Sequence, residues 1–406
     1  MAPMLHVPHT ADIGETTRGG SNNVTSEPRN ANRITSRQVC PVRTLVIEGI
    51  ATGVPQESTR QKDAAEKVCA LFQAEPAQQE RINRLYTKTQ IDKRHMTVDP
   101  LQKKFDRSMS IRQRMDLFLQ HASPLAIDVS SRALDKAQAT AEDIGLLVLV
   151  TSTGFIAPGV DVTVMKALGL SPSVSRVTVN FMGCAAAMNG LRAATDFVRA
   201  HPRSKALMCC VELSSVNAVF ANNINDVIIS SLFADGCAAM VVGSRDNQEG
   251  QDPLRPGQVI VHEHFCQFVE GSEDGITLGV NDNGITCELS AKLPKYIRSG
   301  LGPVVCSLLD RHGMTKSDVN YWAIHPGGPK IIEESVCSLD IPAHVATKSW
   351  DVLAEYGNML SASLPFVLQR MVDEANSEGS SGKGVAFSFA PGVTVEGILF
   401  EIPECT

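Results

Sequence analysis

Hydrophobic and polar positions follow two different periods along most of the chain. Runs of consecutive apolar residues at 146–150 and 321–324 have the length of buried strands. The stretches before them, 124–139 and 303–312, repeat apolar residues every three or four positions, as amphipathic helices do. From Thr44 onward this alternation of helix and strand patterns predicts an α/β architecture.

Two passages of the sequence share one order of predicted elements. Each has a helix, a Thr-x-x-Asp turn (140–143 and 315–318), a buried strand and an exit through small residues. The repeat is compatible with an internal duplication and equally with unrelated halves, because such units are common. A polar stretch with prolines and glycines at 246–257 suggests the boundary. We therefore predict two halves, 44–247 and 248–406.

The composition of the first 43 residues predicts a flexible N-terminal arm. They are rich in Asn, Ser, Thr and Arg and show neither period. Their five arginines are compatible with organelle targeting, whereas Asp12, Glu15 and Glu27 count against a transit peptide. We expect a cytoplasmic protein, with targeting by the arm left open. No apolar run approaches the roughly 20 residues that span a bilayer, so we expect no membrane helix.

Charge and cysteine content narrow the function classes. The chain has 37 Lys and Arg against 44 Asp and Glu, a net charge of −7. It therefore lacks the basic field that holds a nucleic-acid backbone, and we expect no nucleic-acid partner. The 11 cysteines contain no C-x-x-C pair, which favours free thiols over a zinc or disulfide framework.

Cys184 is the first candidate for chemistry. A β-branched strand over residues 177–182 turns at Gly183, and an Ala-rich helix begins at or just after the cysteine. The positive end of a helix favours the thiolate, which is the nucleophilic form of cysteine. The alternative is a small buried cysteine in a strand-to-helix turn.

His325 and Asn358 are the other two candidates. His325 ends a predicted strand, because the prolines and glycines after it do not continue one. A histidine that satisfies a turn carbonyl would look the same. Asn358 precedes a helical run, and an ordinary N-cap explains it equally well. The three candidates are far apart in sequence, so only the fold can bring them together.

Cys, His and Asn together suit thioester chemistry. A thiolate accepts an acyl group, and the other two donate hydrogen bonds to an enolate or oxyanion. A papain-like hydrolase uses the same residue types, but its C-G-[SA]-C-[WY] signature is absent.

At this point the sequence resembles the type III polyketide synthases, the chalcone synthase superfamily. The resemblance extends from about Thr44 to the C-terminal region and rests on five separated motifs in the family's order. These are G-C-A at 183–185, S-L-F-A-D-G at 231–236, I-H-P-G-G-P at 324–329, E-Y-G-N-M at 355–359 and F-S-F-A-P-G at 387–392.

The resemblance implies a thiolase fold, a duplicated five-layered αβαβα arrangement, working as a homodimer without metal or organic cofactor. It implies that Cys184 carries the starter and the growing chain. His325 and Asn358 would orient the thioester carbonyl and promote malonyl decarboxylation, and His325 would also pair with the thiolate. Phe233 would be an aromatic gatekeeper at the coenzyme A entrance, with simple core packing as the alternative.

The resemblance also implies substrate contacts. A basic coenzyme A site would lie on one helix face, with a merely solvated face as the alternative. Glycines after the histidine would let the pantetheine arm pass close to the backbone. The residues concerned are Arg81, Arg84 and Lys88 for the phosphates, and Gly327 and Gly328 for the arm.

Departures from the plant-type pattern concern the substrate cavity. Cys287 stands where plant enzymes carry a second gatekeeping phenylalanine, and Leu360 stands where they have serine. Leu278 lies near a usual glycine. Asn217 and Ser214 fall at positions that tune cavity size and polarity. The run M-G-C-A-A-A-M-N-G at 182–190 is more similar to bacterial and algal members, several of which accept aliphatic starters or malonyl-CoA alone.

The expected activity is iterative decarboxylative Claisen condensation of malonyl-CoA onto an acyl-CoA or malonyl-CoA starter. Cyclisation would give a phloroglucinol-type ring or an α-pyrone. Three alternatives stay open: a ketoacyl synthase III using acyl carrier protein, an acyl-CoA thioesterase, and a catalytically silent thiolase-fold scaffold. Starter, number of extensions and ring-closure mode are not fixed by the sequence.

Overall fold

The computed structural model describes residues 43–218, 224–246, 254–281 and 284–404. These residues contain ten α-helices and thirteen strands. The strands are β1 (Arg43–Gly53), β2 (Ser58–Arg60), β3 (Lys93–His95), β4 (Ile144–Thr151), β5 (Ser175–Asn180), β6 (Lys205–Leu213), β7 (Asp235–Asp246), β8 (Val259–Phe268), β9 (Ile276–Asn281), β10 (Gly284–Leu289), β11 (Tyr321–Ile324), β12 (Gly382–Ala390) and β13 (Thr394–Ile402). The helices are α1 (Gln61–Leu71), α2 (Pro76–Lys88), α3 (Ile111–Ala137), α4 (Val160–Ala167), α5 (Ala186–Ala200), α6 (Ile224–Leu232), α7 (Leu293–Arg311), α8 (Pro329–Leu339), α9 (Thr347–Tyr356) and α10 (Ser363–Glu378).

The strand order repeats between the two halves. Nine strands pair in the order β11-β12-β13-β8-β1-β7-β6-β4-β5. In the N-terminal half, β1 pairs antiparallel with β7, β7 antiparallel with β6, and β6 parallel with β4. The C-terminal half repeats this pattern: β8 pairs antiparallel with β13, β13 antiparallel with β12, and β12 parallel with β11. Only three residue pairs join β1 to β8, so the two sets form two similar sheets with a short junction.

The Thr-x-x-Asp turns occupy equivalent places in these halves. Each is a 3-10 turn before a parallel strand, and in each the Asp carboxylate accepts from the Thr backbone N–H, at 2.8 Å in one turn and 2.7 Å in the other. The preceding helices start earlier than predicted, α3 at Ile111 and α7 at Leu293. The error arose at Pro124 and Pro303, which lie inside their helices. A proline removes one backbone hydrogen bond, and packing along a long helix tolerates that loss.

The core has five layers. Helices α5 and α10 lie between the two sheets and pack on apolar residues of both. Helices α3 and α4 cover the outer face of the N-terminal sheet, and α7 and α8 cover that of the C-terminal sheet. The duplicated αβαβα arrangement predicted from the resemblance is confirmed.

Other sequence predictions fall partly outside the described residues. The predicted arm lies outside the described residues except for Arg43. This residue is the first of β1, and its side chain forms a salt bridge with Asp246 at 2.6 Å. The predicted boundary is described only at its two ends, so the division at residue 247 stays a prediction. Within the described ranges, no helix is long and apolar enough to cross a membrane. The nine cysteines described are all free.

Candidate active site

A tight turn presents Cys184 at the end of β5. Phe181 and Gly183 both have positive φ, 58° and 60°. A side chain at Gly183 would bring its Cβ within 3.0 Å of Pro391 Cδ, so this position requires glycine. The Gly183 N–H donates to Ser152 Oγ at 3.0 Å, which fixes the turn to the end of β4.

The prediction that this turn favours a thiolate is wrong for the resting protein. A 3-10 turn, Gly183–Ala185, holds the cysteine, and α5 begins only at Ala186. Burial is the largest effect on the thiol and raises the pKa of Cys184, and the nearby Cys287 adds to the rise. A hydrogen bond from Asn358 acts in the opposite direction but does not outweigh them. The loss of solvation is thus the dominant effect on this thiol.

His325 follows directly after β11, as predicted. Its backbone N–H donates to Phe387 O at 3.1 Å, and the residue is 2% exposed. Neither ring nitrogen has a hydrogen-bond partner within the part of the chain that the structure describes. Burial lowers the pKa of His325 to about 3, so the resting imidazole is neutral. A Cβ on Gly327 would lie 3.1 Å from Nε2, which shows how closely the following backbone approaches the ring.

Asn358 connects the cysteine to the histidine loop. Its Oδ1 accepts from Leu360 N–H at 2.9 Å, which fixes the orientation of the amide. Its Nδ2 donates to Gly327 O at 3.2 Å and lies 3.9 Å from Cys184 Sγ. The N-cap alternative holds in part, because Oδ1 satisfies the N–H of Leu360, the first residue of the 3-10 turn Leu360–Ala362 that leads into α10. The amide nitrogen of the same side chain faces the thiol.

The backbone of Asn358 is held as firmly as its side chain. It forms a parallel bridge with Phe233: its N–H donates to Leu232 O and its C=O accepts from Ala234 N–H, both at 2.9 Å. The buried Arg94, which is 2% exposed, donates to Phe233 O at 2.8 Å and so fixes the residue that bridges Asn358. Hydrogen bonds of Asn358 therefore bring together the Cys184 sulfur and the loop that follows His325, and its backbone is fixed by neighbouring segments.

A cavity of about 810 Å³ adjoins the site formed by Cys184, His325 and Asn358. The trio is not part of its wall, but neighbours of the trio are: Phe233 bridges Asn358, and Leu278 comes within 3.7 Å of a Cβ built on Gly183. The wall includes every residue singled out as a cavity determinant: Phe233, Cys287, Leu360, Leu278, Asn217 and Ser214. Gly327 and Gly328 are not among the described wall residues: Gly327 lies against the His325 ring, and Gly328 against Leu232.

Family models match both halves of the chain. The model for the N-terminal domain of chalcone and stilbene synthases matches residues 32–246, and the model for their C-terminal domain matches residues 261–403. The chain belongs to the chalcone and stilbene synthase family. It is a type III polyketide synthase and therefore an acyltransferase.

Individual relatives agree with this family assignment. The chain is 60% identical to the Mycobacterium tuberculosis protein named alpha-pyrone synthesis polyketide synthase-like Pks18, over 89% of this chain and 92% of the relative. It is similar to the crystal structure of PKS-I from the brown alga Ectocarpus siliculosus, with a TM-score of 0.83 and 39% identity over 91% and 100% of the two chains. The C-terminal type III domain of Steely1 from Dictyostelium gives a TM-score of 0.80 and 29% identity, over 88% and 99%.

The predicted coenzyme A cations of this polyketide synthase lie on an exposed helix face. Arg81, Arg84 and Lys88 are exposed on α2, whose opposite face buries Ile82 and Tyr86. Arg84 pairs with Glu80 at 2.7 Å, an exposed contact of little energetic weight. None of the three cations lines the cavity. Their role stays a prediction.

Sequence reasoning missed Glu212, a fully buried carboxylate below the active site. It accepts from Ser152 N–H at 3.0 Å, Thr153 Oγ1 at 2.7 Å and Ser361 Oγ at 2.5 Å. Burial raises the pKa of Glu212 to about 7, although these donors act to lower it. The available signal was a single acidic residue near the end of the apolar strand β6. It links the loops that carry Cys184 and Asn358.

Proposed function

We propose that Cys184, His325 and Asn358 carry out iterative decarboxylative condensation in this polyketide synthase, with an acyl-CoA starter, malonyl-CoA as extender and an α-pyrone as product. The observation that carries the proposal is the contact between Asn358 Nδ2 and Cys184 Sγ at 3.9 Å, beside the loop of His325. It places an amide donor beside a potential acyl carrier.

The first step is loading of the starter. Burial disfavours the isolated thiolate and the isolated imidazolium alike, as the raised pKa of Cys184 and the lowered pKa of His325 indicate. Proton transfer from sulfur to imidazole forms both charges together, and each then stabilises the other. The thiolate attacks the starter thioester and releases coenzyme A.

The second step is formation of the extender nucleophile. An amide nitrogen has two N–H groups, and one of those on Asn358 is used by Gly327 O. The second is available on the side of Cys184. Together with a protonated ring nitrogen of His325 it would hold the malonyl thioester oxygen as carbon dioxide leaves and the enolate forms. The enolate carbon then attacks the acyl group on sulfur.

The cavity supports an aliphatic starter. Its volume lies within the range of roughly 300 to 1,000 Å³ typical of small-molecule sites. Phe233 is the only aromatic residue among the described wall residues, and the other large apolar ones are aliphatic: Met96, Leu101, Ile229, Leu278, Ile285, Leu289 and Leu360. The α-pyrone product is proposed by similarity to the mycobacterial relative, whose printed name contains that product.

The decisive experiment incubates the full chain with radiolabelled malonyl-CoA and a series of acyl-CoA primers, and identifies the products by mass. We expect pyrones from the primers, and no pyrone when malonyl-carrier protein replaces malonyl-CoA. Free acid without a new carbon–carbon bond would indicate a thioesterase and refute the proposal. The chemistry needs no metal, so activity should survive dialysis against EDTA.

We also infer a homodimer formed through the edge of the N-terminal sheet. β5 is the terminal strand, and most of its residues are exposed, including Val177 at 40%. Beside it, Phe155 is 62% exposed and packs edge-to-face on Phe181. A strand edge flanked by exposed apolar side chains favours pairing with a second copy. Sedimentation analysis of the wild type and of Val177→Lys tests this: the wild type should be dimeric and the variant shifted towards monomer.

A further inference from the structure

Positive charge is concentrated in one segment of the chain, residues 81–114. The segment contains ten Lys and Arg against three Asp and Glu, a net charge of +7. The whole chain has a net charge of −7, so the remainder carries −14. Two of the ten cations, Arg94 and Arg114, are buried and donate to backbone carbonyls. Six of the others are exposed, so the segment produces a local field opposite in sign to the net charge of the protein.

The loop between β3 and α3, which lies within this segment, has a fixed conformation. Leu101 is buried against α1 and α2. Asp99 forms a salt bridge with Lys67 of α1 at 2.6 Å. Arg107 donates to Pro100 O at 2.9 Å, which closes the loop on itself. These contacts hold the loop in place without a ligand.

Three exposed cations on this loop and at the start of α3 form a surface that we call the basic rim. They are Lys103, Lys104 and Arg112. None of the three forms a salt bridge with an acidic side chain in the part of the chain that the structure describes, whereas Arg84 on α2 is paired with Glu80. The charge of the basic rim is therefore available to a partner.

The basic rim lies next to the cavity. Pro100 and Leu101, which shortly precede Lys103 in the chain, are part of the cavity wall. Leu101 also packs on Ile82 and Tyr86 of α2, the helix that carries the predicted coenzyme A cations. The basic rim and α2 therefore lie on the same side of the cavity, and a partner bound there can reach the interior.

The surface around the basic rim favours an acidic protein as the partner. A lipid surface is held most firmly when apolar side chains insert beside the cations. The exposed large apolar residues of the described chain all lie outside segment 81–114: Phe155, Val177, Phe268 and Val280. Free coenzyme A is small and already has the predicted cations of α2. An acidic protein with an acyl group on a phosphopantetheine arm matches both features, because its carboxylates pair with the basic rim while its arm enters the cavity.

We propose that the basic rim docks an acidic acyl carrier protein, which delivers the starter acyl group to Cys184 while malonyl-CoA remains the extender. The inference rests on the proposed function and gives its loading step a second class of acyl donor. The transfer needs no further reactant. Cys184 Sγ bonds to the acyl carbon as the bond from that carbon to the sulfur of the arm breaks. The departing sulfur takes the proton held by His325 and becomes a thiol.

The test compares two donors of the same aliphatic acyl group, an acyl carrier protein and acyl-CoA. Each is supplied to the full-length chain with radiolabelled malonyl-CoA. We expect the wild type to form the same labelled product from both donors, and kcat/KM for the carrier protein to fall steeply as salt rises.

Charge reversal on the basic rim should separate the two donors. The double variant Lys103→Glu, Lys104→Glu should lower kcat/KM for the carrier protein about tenfold at low salt, within the range of electrostatic steering. Its kcat/KM for acyl-CoA should change by less than about twofold, the change expected for exposed charges that the donor does not contact. The matched control is the double variant Lys166→Glu, Arg203→Glu, which makes the same change of charge at exposed positions outside the segment and should behave as the wild type.

The outcomes separate this inference from the proposed function. A wild type that condenses from acyl-CoA but forms no product from the acyl carrier protein would overturn the docking and leave the proposed function intact. Equal losses in the two double variants would overturn it too, since they would show a general charge effect. Binding to phosphatidylglycerol vesicles that the rim variant loses, with unchanged carrier kinetics, would assign the surface to lipid instead. A wild type that forms no new carbon–carbon bond from either donor would refute the proposed function itself.

Discussion

The backbone N–H of Gly183 donates to the side-chain oxygen of Ser152 at 3.0 Å, so the turn before the candidate nucleophile is fixed by the end of a neighbouring strand. Loss of this bond should loosen the position of Cys184 without unfolding the protein. Ser152→Ala is expected to lower the rate of Cys184 acylation by about five- to tenfold, the value of one buried hydrogen bond. Rapid quench and mass analysis of the acyl-enzyme measure it. Ser152→Thr, which keeps a hydroxyl, should retain most of the rate, and equal rates in Ser152→Ala and wild type would contradict this role.

Glu212 should make stability fall as pH rises. Its pKa is raised from 4.5 to about 7 in the folded protein, so between these values the folded state keeps a proton that the unfolded chain has lost. The resulting stabilisation is complete below pH 4.5 and is lost as pH rises towards 7. It amounts to about 3 kcal/mol. Urea unfolding from pH 5 to 8 should show this slope in the wild type and a weaker one in Glu212→Gln.

Asp235 is the control for that measurement. Burial raises its pKa from 3.8 to about 6, which adds a slope of the same sign at lower pH. Asp235→Asn should therefore flatten the profile mainly below pH 6, whereas Glu212→Gln flattens it up to pH 7. Profiles that coincide for the two variants would contradict the assignment.

Asn358→Ala should separate loading from decarboxylation. The amide donor lies 3.9 Å from Cys184 Sγ and serves the malonyl carbonyl in the proposed mechanism. We expect release of carbon dioxide from malonyl-CoA to fall by about 10²- to 10³-fold, the usual cost of one oxyanion donor. Loading of Cys184 from acyl-CoA should persist. Unchanged decarboxylation would exclude this role for Asn358.

His325→Gln should change how the alkylation of Cys184 depends on pH. The raised pKa of Cys184 means that its thiolate forms at neutral pH only if the imidazole accepts the proton. In the variant, iodoacetamide labelling at pH 7 should fall at least tenfold and then rise about tenfold per pH unit. Peptide mapping by mass follows the site, and Cys287, whose pKa burial raises to about 12, serves as the internal comparison. Equal labelling of wild type and variant at pH 7 would refute proton acceptance by His325.

Charge reversal on α2 should weaken substrate binding without affecting chemistry. Arg81→Glu and Lys88→Glu remove exposed cations that the family resemblance places at the coenzyme A phosphates. We expect KM for acyl-CoA to rise about fivefold at low salt, with kcat unchanged and the effect shrinking at high salt. Lys62→Glu on α1 is a control exposed cation outside the predicted phosphate set. A rise of similar size in that variant would show a general charge effect.

Local pattern was sufficient for the elements that carry the site. The apolar run at 146–150 predicted β4, and the prolines and glycines after His325 predicted the end of β11. The requirement for glycine at 183 was visible as an abrupt end to a β-branched run. These features depend on nearest neighbours along the chain, which the sequence displays directly.

The chemistry of the site was decided by contacts between distant segments. Burial raises the pKa of Cys184 and so opposes the thiolate expected from the helix terminus, because desolvation depends on what surrounds a group in space. The orientation of the Asn358 amide depends on a backbone N–H two residues later and on a carbonyl 31 residues away. Glu212 gave no motif at all, since its partners come from two segments distant in sequence, residues 151–153 and Ser361.

By itself, then, the sequence determined the repeated order of helices and strands, the choice of three candidate side chains and, through its motifs, the family. Tertiary structure alone decided that Asn358 faces Cys184 and that a neutral thiol and a neutral imidazole are the resting forms. The reason is physical: backbone preference and hydrophobic period are local, whereas solvation and hydrogen-bond pairing depend on every segment that folds around an atom.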